Sequence, residues 1–277
     1  MKLSLSLLTG ALAVFTTTSA SAIARHADHA PYYARDTEPT CITPGAVPDI
    51  QGSQIRNIGV VLFRAFDMID VFGTLDPLQL LAHMAQPLNL HLIAETLEPV
   101  TTEPISMNKF NSSFWPTVNP TKTFADDVDL DVLIVPGGPG ARSPELGAVT
   151  DYIAKMYPRV KVLMTICTGS GVAARAGVLD GHLATTNKNA WAAMTSMGPK
   201  VNWVSPARFV IDGKVWSSSG VTSALDLVFA FIETYWGSEQ SQRIAGIIEH
   251  VPRIATDDPF SAKFNITPTD AHPCAAA

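Results

Sequence analysis

Cys167 is the residue of this chain best placed for nucleophilic chemistry. It ends the apolar run Lys161 to Ile166 (KVLMTI) and is followed at once by Thr168-Gly169-Ser170-Gly171. A strand that stops at a nucleophile and turns into a helix through small residues has the logic of a nucleophile elbow, in which a strained turn lifts the reactive atom above the sheet edge. The helix that follows points its free N–H groups and the positive end of its dipole at the sulfur, which predicts a stabilised, low-pKa thiolate. The competing reading is a buried structural cysteine, a common core residue. The Thr-Gly-Ser-Gly context favours the reactive thiol.

Two further segments carry candidate chemistry. Asp131 to Val135 runs straight into Pro136-Gly137-Gly138-Pro139-Gly140. Glycines let backbone N–H groups face a ligand without side chains in the way. At the carboxyl end of a parallel strand, Gly137 and Gly138 are therefore candidates for binding substrate or an oxyanion beside Cys167. The loop has no Gly-Lys-Ser/Thr ending, so a phosphate loop is not indicated. Asp70 sits in Phe66 to Gly73, between the first strand and the first helix. Beside a thiol, burial and like charge would raise its pKa and make it a proton donor. Its spacing fits a helix cap or a solvent-facing loop acid equally well.

The elements that must position these groups alternate. Asn57 to Phe63, Asn89 to Ala94, Asp131 to Val135 and Lys161 to Ile166 read as apolar strands, the first of them rich in Val. Gly73 to Ala85 has helical spacing, and Ser143-Pro144-Glu145 opens a helix running to Met156. An Ala-rich helix follows Cys167 to about Gly177. Asp212-Gly213 between Ala207 to Ile211 and Lys214 to Ser217 signals a hairpin. Val221 to Tyr235 and Ser238 to His250 are helical, and residues 97 to 124 form a polar insertion with weak strands. The class is α/β, a mostly parallel sheet with helices on both faces. One domain spans 56–250, between an extended N-terminal arm (23–55) and a C-terminal tail (251–277).

Hydrophobic residues make up 47% of the 277 and charged residues 16%, enough apolar material for a buried core. The net charge is −6 and no Lys/Arg cluster stands out, which excludes nucleic acid as an expected partner. Lys2, the apolar run Leu3 to Phe15 and Ala20-Ser21-Ala22 predict a signal peptide over 1–22, cleaved after Ala22, and hence secretion. The run is too short for the roughly 18 residues of a membrane span, and no other segment reaches that length. Besides Cys167 the chain has Cys41 and Cys274, which flank the domain. In an oxidising compartment they would pair and tie the arms together; otherwise they are two free thiols on loose tails. Asn111 and Asn265 head N-x-S/T sequons and are glycosylation candidates in a secreted eukaryotic protein.

Several segments together resemble the ThiJ/PfpI superfamily: Gly59 to Phe63 with Asp70 to Gly73, Asp131 to Gly138, Ile166 to Ser170, Leu183 to Thr186 and Ser219 to Asp226. They span nearly the whole core. The resemblance implies a flavodoxin-like, class I glutamine amidotransferase-like three-layer sandwich and a homodimer; no cofactor or metal is expected. It is strongest to the branch containing isonitrile hydratase, which adds water across an isonitrile to give an N-substituted formamide. That branch has Asp at the position of Asp70, where many relatives place Glu, and Thr directly after the nucleophile, as Thr168 is here. The resemblance thus implies Cys167 as nucleophile, Asp70 as acid and base, and Thr168 with the backbone around Gly138 orienting the adduct.

The chain departs from the family pattern in two respects, one being the secretion signal, since the resembling hydratases are mostly intracellular. Many relatives carry His shortly after the Ala-Thr-Thr segment, where this chain has Asn187-Lys188-Asn189. A protease-type Cys–His pair is therefore not expected. Two alternatives stand beside the hydratase reading. One is a glyoxalase or deglycase acting on small dicarbonyls through a hemithioacetal on Cys167. The other is a secreted redox-sensing or small-molecule-binding protein without turnover.

Overall fold

The apolar runs of the sequence become the middle of a seven-stranded sheet in a computed structural model that describes residues 41–274. The expected signal segment 1–22 and arm residues 23–40 lie outside the described residues. In chain order, β1 (Asn57–Val61), α1 (Met68–Met84) and β2 (Asn89–Ala94) come first, followed by the insertion with short β3 (Val100–Thr101), β4 (Thr117–Val118) and β5 (Lys122–Thr123). Next are β6 (Val132–Val135), α2 (Gly147–Met156), β7 (Val162–Ile166) and α3 (Gly169–Arg175). Then come β8 (Leu183–Ala184), α4 (Trp191–Thr195), β9 (Asn202–Trp203), β10 (Phe209–Asp212) and β11 (Val215–Ser218). Helices α5 (Ser223–Trp236), α6 (Ser238–Ile247) and α7 (Phe260–Lys263) close the chain.

The sheet order is β10-β11-β7-β6-β1-β2-β5, parallel throughout except for the β10–β11 hairpin. Every residue of β6 and β7 is buried, as strands covered on both faces require. Helices α1, α5 and α6 pack together, as do α2, α3 and α4. This is the flavodoxin-like α/β sandwich. The chain leaves β1 toward β2 and later returns to its other side through β6, so the order reverses between β1 and β6. The carboxyl ends of these strands flank the crevice in which open α/β sheets place ligands.

Several boundaries differ from the sequence reading. Helix α1 begins at Met68, five residues earlier than the spacing of its leucines suggests. Asp67 caps it by accepting from the Ile69 N–H at 3.2 Å. Asp70 therefore lies in the first turn of a helix, not in the loop before it. Helix α2 begins at Gly147; the Ser143 hydroxyl instead accepts from the Glu145 N–H at 3.1 Å, in a local turn. In the hairpin Asp212 pairs with Val215, so the two-residue turn is Gly213-Lys214, one place later than expected, with Gly213 at φ +60°.

The segment after residue 250 is not a loose tail. The Arg208 N–H donates to the Ala255 carbonyl at 2.6 Å and the Thr269 N–H to the Ser205 carbonyl at 2.8 Å. Ser205 and Ser261 share a hydroxyl hydrogen bond of 2.7 Å. The described part of the N-terminal arm is also anchored: Ile55 is fully buried, and Cys41 and Cys274 are joined by a disulfide beside an Ile42–Pro273 bridge. Asn111 and Asn265 are both exposed.

Candidate active site

Cys167 follows β7 directly and has φ +57°, a left-handed conformation that costs a non-glycine residue about 1–3 kcal/mol. Its surroundings hold it there. Its N–H continues the β7–β11 ladder to the Ser218 carbonyl at 3.1 Å, and its carbonyl accepts from the Thr186 hydroxyl at 2.9 Å. The small residues after it are a packing requirement. A Cβ on Gly169 would sit 2.2 Å from the Val135 carbonyl oxygen, and one on Gly171 would sit 2.6 Å from the Met194 sulfur.

The thiol is 5% exposed and faces two kinds of neighbour. On one side are donors: the Asn187 Nδ2 at 3.2 Å and the Thr168 N–H. On the other is the Asp70 carboxyl, itself fully buried. Asp70 Oδ2 accepts from the Gly137 N–H at 2.7 Å, while Oδ1 is buried without a hydrogen bond of ordinary geometry. Thiol and carboxyl act on each other. Burial first, and the Asp67 charge second, push the Asp70 pKa up to about 7, while the Gly137 N–H and the Cys167 thiol pull against them. Burial and the Asp70 charge hold the Cys167 thiol well above its ordinary range.

This corrects the expected low-pKa thiolate. The N-terminus of α3 does lie at the sulfur, but desolvation and the neighbouring carboxylate outweigh it. Each shift favours the protonated form of its group, the thiol included, and the carboxyl is the more acidic partner of the pair.

The glycine loop also has a different task from the one expected. The Gly137 N–H is committed to Asp70, and the Gly138 N–H donates to Thr168 Oγ1 at 2.8 Å. Thr168 Oγ1 in turn donates to the Gly138 carbonyl at 3.1 Å. Neither N–H is free to bind an oxyanion, and the Thr168 hydroxyl is not free to orient an adduct. A Cβ on Gly137 would meet the Thr168 nitrogen at 2.5 Å and Asp70 Oδ2 at 2.8 Å, so the loop is glycine-rich in order to pack against the acid and the elbow.

Asn187 is the functional residue that sequence reasoning missed. The position was singled out for lacking histidine, and the amide there supplies the donor. Its Oδ1 accepts from the Ala190 N–H at 3.1 Å, which fixes Nδ2 toward the sulfur. No histidine hydrogen-bonds Cys167 among the described residues. His182 is paired with Asp212 and Tyr157, and His250 with Asp226. A cavity of about 710 Å³ opens beyond the ends of β1, β2 and β6 and is lined by Phe63, Arg64, Glu95, Met107, Pro139 and Arg142, but neither Cys167 nor Asp70 lines it.

Residues 56–234 match the DJ-1/PfpI family. The chain is similar to isonitrile hydratase of Pseudomonas putida, 30% identical over 196 residues that cover 70% of this chain and 78% of that enzyme. It is also similar to the HTH-type transcriptional regulator GbdR of Pseudomonas aeruginosa, 27% identical over 206 residues, covering 74% of this chain and 53% of the regulator. A solved ThiJ/PfpI family protein from Pseudomonas syringae shares the fold with a TM-score of 0.59 at 23% identity, covering 76% of this chain and 84% of that one.

Proposed function

The chain belongs to the DJ-1/PfpI family, and from that premise we propose that it is an isonitrile hydratase-like lyase with Cys167 as nucleophile and Asp70 as acid and base. The observation that carries the reading is the buried Asp70–Cys167 pair: a carboxyl whose pKa is raised to about 7, against a thiol on a strained elbow.

The chemistry follows from one shared proton. Asp70 carboxylate removes the thiol proton as the sulfur bonds to the terminal carbon of R–N≡C, and the same carbon then takes that proton from Asp70. The product is a thioimidate, R–N=CH–S–Cys167. Asp70, again a carboxylate, deprotonates a water that attacks this carbon, and returns the proton to nitrogen. The tetrahedral adduct R–NH–CH(OH)–S–Cys167 collapses to R–NH–CHO, and the hydroxyl proton returns to sulfur through Asp70. Asn187 Nδ2 and the Thr168 N–H stabilise the sulfur while it carries charge.

Incubating the purified protein with an alkyl isonitrile and following the formyl proton by NMR tests the reading. Formamide from the wild-type protein and none from Cys167→Ser supports it; equal rates in both overturn it. The second reading is ligand binding without turnover, favoured by the similarity to a transcriptional regulator. It predicts a saturable thermal shift with no formamide. Methylglyoxal consumption would instead mark dicarbonyl chemistry.

Two expectations complete the proposal. The disulfide between Cys41 and Cys274 suits an oxidising compartment, and so supports secretion. Met68, Ile69 and Phe72 expose 39%, 50% and 46% of their surface on the first turns of α1, beside Asp70, and that apolar patch suits a homodimer contact.

A further inference from the structure

Lys188, 3% exposed, is the one buried lysine among the described residues, and the reaction above does not use it. Its ammonium donates to Thr185 Oγ1 at 2.8 Å and to the Ala207 carbonyl at 2.9 Å, with the Thr186 carbonyl at 3.4 Å. Asp258 Oδ2, from the segment after α6, lies 3.5 Å away, and both side chains are almost wholly enclosed. The Trp191 ring closes the remaining side, 4.9 Å from the ammonium. Asp258 is fixed in its turn: its Oδ2 accepts from the Ala207 N–H at 3.1 Å and the Ser261 hydroxyl at 2.6 Å, and its Oδ1 from the Phe260 N–H at 2.9 Å.

The turn this lysine ties down is the one that touches the nucleophile. Thr185 and Thr186 precede it, and Thr186 bonds the Cys167 carbonyl at 2.9 Å. Asn187, adjacent in the chain, bonds the sulfur at 3.2 Å. Burying an ammonium is costly unless it is paired and its donors are filled; here the donors are filled and Asp258 offsets part of the cost, with burial still drawing the Lys188 pKa down to about 8. We infer that Lys188, held by Asp258 of the C-terminal segment, is a positioning residue that fixes the 185–188 turn so that Asn187 points its amide at Cys167. The segment after residue 250 is then part of the active-site scaffold. The inference rests on Cys167 being the nucleophile of the proposed reaction.

The thiol itself provides the test. Cys41 and Cys274 are joined, so iodoacetamide reads Cys167 alone. The charged groups that act on the sulfur are Asp70 and Asp67, unchanged in every variant. Alkylation rates are measured against pH for the wild-type protein, Asn187→Ala, Lys188→Met, Asp258→Asn and the double variant Asn187→Ala/Lys188→Met. Loss of one donor to a developing thiolate slows alkylation roughly tenfold at each pH. Lys188→Met should reproduce that loss, Asp258→Asn should slow alkylation roughly threefold, and Lys188→Met should add nothing in the Asn187→Ala background. A further tenfold loss in the double variant would mean that Lys188 acts on the sulfur by another route, and overturns the inference. So does lower thermal stability in both single variants with an unmoved alkylation profile. Asp258→Asn keeps the side-chain volume, turns its amide nitrogen toward one of the backbone N–H groups from which Asp258 accepts, and carries the test if Lys188→Met does not fold. Alkylation needs no isonitrile, so formamide formation, followed separately, reports on the hydratase reading alone.

Discussion

Asp226, in the first turn of α5, and Asp70, in the first turn of α1, are both buried carboxylates at helix N-termini, and their surroundings differ at every lone pair. Asp226 takes the Arg208 guanidinium on Oδ2, and on Oδ1 the His250 ring at 3.0 Å and the Arg253 N–H at 2.9 Å. Asp70 has one backbone N–H, an Oδ1 without an ordinary partner, and a thiol for a neighbour. The first arrangement has the saturated partners of a structural carboxylate. The second leaves bonding capacity unused at the site where the proposed reaction moves a proton, as a fold that trades stability for reactivity would.

The largest expected effect belongs to the sulfur beside Asp70. Cys167→Ser should bring formamide formation below detection, with a melting temperature within about 4 °C of wild type, since the change removes no packing volume of note. Turnover surviving in that variant would dissolve the contrast, because Asp70 would then have nothing to serve.

The two carboxylates should respond oppositely to the same change. Asp70→Asn removes the general base and should lower kcat/KM by roughly a hundredfold. It also removes a poorly solvated charge, so the variant should melt higher than wild type at pH 8. Asp226→Asn leaves the Arg208 guanidinium unpaired and should cost about 3–5 kcal/mol of stability, while the rate per folded molecule holds. Urea melts and active-site titration on the two variants read both arms. Loss of stability in Asp70→Asn without loss of rate would reduce Asp70 to a helix-terminus residue.

The pH dependence sharpens the same contrast. Asp70 has a folded pKa raised from 3.8 to about 7. The stability it contributes is therefore fully present below about pH 4 and is lost as pH rises through about 7, where its buried carboxyl ionises. Activity should move the other way. With the carboxyl protonated there is no base for the thiol, so kcat/KM should climb as pH passes about 7 and then level off. A flat profile between pH 6 and 8.5 in kcat/KM for an alkyl isonitrile would detach Asp70 from the rate.

Much of this was legible in the sequence. The central strands showed because parallel strands buried on both faces are near-continuous Val, Ile and Leu runs, as in Val132 to Val135. Cys167 showed because close packing of the elbow demands Gly169 and Gly171. The start of α1 was hidden because Met68 and Ile69 prolong an apolar stretch, and the cap at Asp67 has no periodicity. Asn187 was hidden because an amide donor has no spacing signature, and the position was searched for an imidazole. The anchored C-terminal segment was hidden for a different reason. It is held by single polar contacts between residues far apart in the chain, such as Ser205 with Ser261, and not by a repeating apolar face. The sign of the thiol shift was misread because helix direction can be inferred from order, whereas burial and the approach of Asp70 exist only in three dimensions.

The smallest expected effect concerns Thr168, which touches the glycine loop and through it Asp70. Its hydroxyl both accepts from the Gly138 N–H and donates to the Gly138 carbonyl, and the preceding N–H, that of Gly137, makes the sole hydrogen bond of ordinary geometry to the Asp70 carboxyl among the described residues. Thr168→Val keeps the volume and leaves the Gly138 N–H unsatisfied in a buried site, at about 1–3 kcal/mol. Part of that cost falls on stability. The part that matters for the reaction is a loop free to drift from Asp70, which loses the N–H that helps hold the carboxylate form. The apparent pKa in the kcat/KM profile should rise and the plateau rate fall by about threefold, whereas Thr168→Ser, which retains the hydroxyl, should stay near wild type. If Thr168→Val lowers the melting temperature but leaves the profile in place, the loop holds its position without the hydroxyl, and Gly137 reaches Asp70 through the Gly137–Asp67 backbone bond at 2.8 Å alone.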